Sequence, residues 1–163
     1  QMSYTDMRGA NLSGAFLRQA NFEGALLNYA NFSKAIMPEV WMQDVQAPFA
    51  NFSGVEFSIS NLSNANFANA DFTGATGTAN FTESSLVNAT FIDANLAGSY
   101  FTNADLRGAD FLRAKLTNVD LTGADLTDAD LTDADLTDAI LTRTILTNAT
   151  LKGTKMPSGW TAP

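Results

Sequence analysis

A large apolar residue returns every five positions along almost the whole chain. Leu, Phe or Met stands at nearly every fifth residue from Met7 to Phe72, with Ala47 the one small centre. The series then loses one residue, resumes at Phe81 and continues to Met156. Two residues ahead of each centre runs a second series of small residues, such as Ala10, Ala15, Ala20, Ala104, Ala109 and Ala129. The three positions between are mostly Asn, Asp, Ser, Thr, Gly, Arg or Lys. On an α-helix five residues advance roughly 500°, so successive centres would scatter around the cylinder. On a strand an odd spacing sends alternate centres to opposite faces. A chain that turns a corner every five residues puts all of them inside. The period therefore predicts a solenoid with one large and one small inward residue per side, around a core narrow enough to make alanine a steric requirement.

The unit reads A-(D/N)-(L/F)-x-x, and over about residues 2–156 it resembles the pentapeptide-repeat family. The resemblance implies an all-β fold, a right-handed quadrilateral parallel β-helix with four repeats per coil. It implies about seven to eight coils in one domain spanning 1–163, roughly 36 Å long at ~4.8 Å per strand. Residues twenty apart should then stack: Phe81 with Phe101, Phe91 with Phe111, Phe32 with Phe52. On the outside the same map pairs Lys115 with Asp135 and Arg113 with Asp133, as surface ion pairs of small energetic worth.

Three segments depart from the pattern. In "IMPEVWMQDVQAPFA", 36–50, the consensus fades although Met37, Val40, Met42, Val45 and Ala50 keep its phase. The segment is either an irregular coil inside the solenoid or a loop that leaves and returns. Kept inside, it turns Trp41 and Phe49 outward. Tyr29 and Phe49 then stack with Leu26 on their face, and Phe16 stacks with Ile36 on another. Outward apolar groups are unusual in this pattern, so Leu26, Tyr29, Trp41 and Phe49 form the candidate protein-interaction patch. In "GATGTAN", 74–80, one repeat is a residue short, a register slip read as a local bulge. A phosphate-binding glycine loop would need a strand before it and a helix after it. At the C-terminus, 157–163 carries Trp160, expected to cap the last coil.

Composition narrows the function. The 163 residues contain neither cysteine nor histidine and carry a net charge of −8. The charge argues against direct nucleic-acid binding, which needs a basic patch. The missing residues remove thiolate chemistry and the commonest general base and metal ligand. No apolar run approaches the ~20 residues of a membrane span. The chain begins with Gln1, so the compartment stays open: cytoplasmic, or exported if a leader was removed.

The acidic stretch "GADLTDADLTDADLTDAI", 123–140, holds a dense run of aspartates. The period sends consecutive repeats to different sides, which disperses the run into a belt of solvated carboxylates. Neither a catalytic pair in a cleft nor a converging metal site is expected, and no cofactor. Asp105 with Asp125, and Asp110 with Asp130, would at most collect a stray cation. Threonines every five residues from Thr117 visit all four sides, unlike a flat ice-binding face. The expected function is a non-enzymatic rod that presents side chains to a protein partner, itself unidentified. The alternative comes from the resemblance, since some members protect type II topoisomerases by imitating DNA and dimerise end to end. Against it, duplex DNA would carry about twenty charges over this length.

Overall fold

The computed structural model describes residues 1–161. The chain winds in five-residue sides, and backbone partners on successive windings lie twenty residues apart. Asp6 lies beside Leu26, Asn31 beside Asn51 and Asp110 beside Asp130, all in parallel. Five residues per side and twenty per winding give four sides. The sides are so short that most pairings are single bridges. Regular ladders form only between β1 (Ile36–Pro38) and β2 (Glu56–Ser58), and between β3 (Ser60–Asn61) and β4 (Ala79–Asn80). Bonding still runs in both directions along the axis. Leu106 N–H donates to the Asp125 carbonyl at 2.8 Å, and Asp125 N–H donates to the Ala104 carbonyl at 3.0 Å.

Each corner is a turn closed by the next small residue, as where Ala109 N–H donates to the Leu106 carbonyl at 3.0 Å. Its third residue is left-handed, with φ between 52° and 61° wherever it is not glycine. Asn and Asp tolerate that conformation better than other side chains. The outward residue before each centre has a separate task. Its side-chain oxygen accepts the N–H two residues on, as Asp110 does from Leu112 at 2.9 Å.

Both tasks account for the acidic stretch. Asp120, Asp125, Asp130 and Asp135 accept the N–H of Thr122, Thr127, Thr132 and Thr137 at 2.8–3.1 Å. Asp128, Asp133 and Asp138 occupy left-handed corners. The expectation that these aspartates are mere solvated decoration is therefore corrected: each holds a piece of backbone that a short side requires.

The large inward residues form columns. One is a phenylalanine ladder of Phe32, Phe52, Phe72, Phe91 and Phe111, with near-parallel rings 4.7–5.0 Å apart. Phe81 stacks on Phe101 at 4.9 Å on the neighbouring side. Rings on adjacent sides meet edge-on, as Phe81 meets Phe72 at 5.5 Å. The small inward series from Ala25 to Ala139 is buried throughout. Where serine takes an alanine's place it bonds to backbone: Ser84 Oγ donates to the Leu62 carbonyl at 2.7 Å and accepts the Ala65 N–H at 3.1 Å. Ala129 belongs to this series, 1% exposed. Ala129→Leu should therefore overpack the core and cost about 1–3 kcal/mol; an unchanged melting temperature would contradict the inward assignment.

The irregular segment 36–50 remains in the wall. Met37, Val40, Met42, Val45 and Ala47 are fully buried, and Trp41 and Gln46 bridge to windings on both sides. The register slip sits at Gly77, which occupies the place of a large centre. Partners that span it are nineteen apart, as Asp71 with Thr90 and Thr76 with Asn95, before twenty returns at Asn80 with Tyr100. Phe72 thus stacks on Phe91. Gly77 has φ of 105°, and a Cβ there would overlap the Phe57 carbonyl. The buried Phe57 ring, with Phe72 and Phe81 6.3 and 6.5 Å away, packs where the short repeat supplies no side chain.

Of the expected C-terminal cap, Trp160 is half-buried and its N–H donates to the Pro157 carbonyl at 3.1 Å. Residues 162 and 163 lie outside the described residues.

Candidate interaction surface

Outward apolar residues gather at a few places on the wall. Tyr29 and Phe49 occupy left-handed corners, with φ of 60° and 59°. Their rings stack at 5.2 Å with planes 7° apart, and they remain 66% and 51% exposed. A bulky side chain in this conformation costs about 1–2 kcal/mol relative to glycine, so the corner carries strain where asparagine would relieve it. Leu26 lies on the side leading to that corner, bridged to Asp6 and Gln46. The structure thus brings Leu26, Tyr29 and Phe49 together. Trp41 is separate: it bridges to Asn21 and Asn61, on the preceding side. Phe16 bridges to Ile36 on yet another side.

Trp41 has company that the sequence reading did not pick out. Its column of outward residues continues through Asn61 and Asn80 to Tyr100. Two recesses open along this column. One, of about 330 Å³, is walled by Trp41 with Gln19, Asn21 and Glu39; the other, of about 240 Å³, lies among Ile59, Asn61, Asn80 and Tyr100. Tyr100 was detectable, since it stands where the pattern calls for Asn or Asp. Ile59 was too, as a β-branched residue at a corner. Its φ is 52° and it is 83% exposed. Ile59→Asn should therefore stabilise the chain by about 1 kcal/mol, read as a higher melting temperature.

The charged groups pair differently from the sequence map. Lys115 and Asp135 are bridge partners as expected, but the Asp135 carboxylate accepts Lys155 Nζ at 3.0 Å. Arg113 pairs with Asp93, through two contacts of 2.7 Å, and not with Asp133. The reason is a common lean of corner side chains toward the following winding. Asp93 leans onto Arg113, whereas Asp133 leans over Gly153, which has no side chain to obstruct it. Among the described residues no group of three acidic side chains is placed to hold a metal ion.

Bonds from the Thr137 hydroxyl, Lys155 and the Thr137 backbone hold the Asp135 carboxyl down to about 2. Asp93 is lowered by Arg113, Asp105 by Arg107, and Asp6 by Arg8. A depressed carboxyl contributes stability above its unfolded value of 3.8, and that contribution fades as pH falls toward the folded value. Melting temperature should accordingly drop between about pH 4 and pH 2, with a smaller drop in Asp135→Asn.

Comparison with known proteins places this wall in context. Residues 5–40, 49–76, 84–123 and 124–156 match the family model for pentapeptide repeats, in 8 copies. No curated protein sequence matches the chain. Among solved structures it resembles trypsin-treated QnrB1, a plasmid-mediated fluoroquinolone resistance protein. The TM-score is 0.55 at 19% identity, over 94% of this chain and 88% of that one. HetL, a pentapeptide repeat protein involved in heterocyst differentiation regulation from the cyanobacterium Nostoc sp. strain PCC 7120, aligns at 26% identity. That match covers 97% of this chain and 87% of HetL, with a TM-score of 0.39. The likeness to QnrB1 identifies the winding as a right-handed β-helix, and the repeat match assigns the chain to the pentapeptide-repeat family.

Proposed function

We propose that this chain is a non-enzymatic rod of seven to eight coils whose role is to hold a protein partner. The observation that carries this reading is the Tyr29–Phe49 corner. Two large aromatic side chains sit in a backbone conformation that favours Asn or Gly, stacked on each other and open to solvent. Strain of this kind persists where the side chain does something the local fold does not need. With Leu26 they make an apolar ridge that a complementary pocket would desolvate. Trp41, one side earlier, joins the contact only for a partner that reaches around the intervening corner.

Tyr29→Asn with Phe49→Asn tests the ridge without endangering the fold, because asparagine suits both corners. Cross-linking and affinity capture from host extract should lose a specific partner in the double variant while circular dichroism stays the same. Identical partner sets from wild type and variant would remove this surface from consideration.

A second reading draws on the acidic belt, where residues 101–140 hold nine aspartates against Arg107, Arg113 and Lys115. Such a rod could oppose a DNA-binding groove of a type II topoisomerase. The test is gyrase supercoiling with added protein; neither inhibition nor protection from a quinolone at micromolar protein would exclude it.

A further inference from the structure

We propose that the side carrying Trp41 and Tyr100 binds a neutral oligosaccharide laid along the axis of the winding. Three strand spacings separate the two rings, about 14 Å, with Asn61 and Asn80 in the rungs between. Both rings are about half exposed. Both amides are oriented by the fold: Asn61 Oδ1 accepts the Ser63 N–H at 3.2 Å, and Asn80 Oδ1 accepts the Thr82 N–H at 3.0 Å. An oxygen committed to a backbone N–H leaves the amide nitrogen facing out. Among the described residues neither nitrogen has a protein partner. The column therefore offers an aromatic platform at each end and two rigid amide donors between.

The recess against Tyr100 exists because of the slip. The 75–78 repeat is one residue short, so its corner lacks a side chain, and the corner of the next winding is Gly98, which has open space around it. Ile59 remains as one wall and Tyr100 as the other. The resulting recess suits a single ring and not a large ligand.

Ligand class follows from what the strip lacks as well as what it has. From Trp41 to Tyr100 the outward residues on this side, Gln43, Asn61, Ser63, Asn80 and Thr82, carry no charge. Nothing there would neutralise a phosphate, sulfate or uronic acid, and a net charge of −8 would repel them. An extended peptide adding to the wall would need free backbone groups. Here they are taken: Asn61 N–H donates to Val40, Leu62 N–H to Asn80, Tyr100 N–H to Ala79 and Phe81 N–H to Tyr100. What remains is side-chain recognition by apolar ring faces and amide hydrogens. That combination matches a pyranose, with one C–H face and a rim of hydroxyl acceptors. The spacing of the rungs is also close to the length of one sugar unit.

The test uses the Trp160→Phe chain, so that Trp41 alone reports by fluorescence, with cellohexaose, laminarihexaose, xylohexaose and maltohexaose as probes. Isothermal titration and fluorescence should show at least one binding with Kd of about 1 mM or tighter. Trp41→Phe should alter the signal, and Tyr100→Ala should weaken affinity at least about tenfold with an unchanged melting curve. Tyr29→Asn, at the other corner, should leave it untouched, so that failure here and failure of the protein-docking reading remain separate results. No response to any of the four at about ten times that concentration, or affinity indifferent to Tyr100→Ala, overturns the proposal. A peptide captured from a random library only when Trp41 and Tyr100 are intact overturns it in favour of a protein ligand.

Discussion

Gly77→Ala should destabilise the chain by about 4 kcal/mol, among the largest effects of any single methyl group in the molecule. At φ of 105° a side chain is strained wherever it points, and here a Cβ would also meet the Phe57 carbonyl. The clash cannot relax locally. Phe57 N–H donates to the Thr76 carbonyl at 2.7 Å, and Gly77 N–H donates to the Asn95 carbonyl at 3.0 Å. Moving the backbone apart breaks bonds to the windings on both sides. Chemical denaturation should report the loss. A variant within about 1 kcal/mol of wild type would mean that the slip is accommodated elsewhere. Gly74→Ala is the natural control, since a Cβ there meets nothing within 4 Å. Its cost should be confined to the left-handed backbone, about 1–2 kcal/mol.

Phe72→Ala should cost about 3–5 kcal/mol. Phe72 is the middle ring of the ladder. It stacks on Phe52 and Phe91, both at 4.9 Å, and meets Phe67 and Phe81 edge-on at 5.5 Å. Neighbours on an axial stack are held by their own windings and cannot collapse into the space. The variant should therefore open a cavity, and Phe72→Leu should recover most of the loss. A cost below about 1 kcal/mol in Phe72→Ala would show that the core is softer than its close packing implies.

The five-residue period made the winding legible because every repeat states the same inward pair. Phe32 on Phe52, Phe81 on Phe101 and Phe91 on Phe111 follow from counting twenty. Counting failed at Gly77, where nineteen applies, because the missing residue lies at a centre that the neighbouring Phe57 ring covers. It also failed for charges. Arg113 has carboxylates one winding away on both sides, and spacing cannot say that Asp93 rather than Asp133 leans toward it. The aspartates of 120–138 were misjudged for a related reason. A period reveals which residues face inward but not which backbone N–H a short outward side chain will accept. Of the candidate patch, Leu26, Tyr29 and Phe49 share a corner, while Trp41 belongs to the side it shares with Tyr100. The pattern contained that grouping, yet it emerges only when the slip is placed correctly between Asn61 and Asn80.

The four-sided winding gives insertions and deletions an angular meaning. Duplicating one five-residue repeat anywhere between residues 42 and 98 would leave the core pattern intact but turn everything after it by a quarter revolution. Tyr100 would then leave the side of Trp41 without any residue being substituted. Adding twenty residues would preserve the alignment and only lengthen the strip. Length changes in multiples of four repeats keep a surface in step, and all others deal its side chains to new sides.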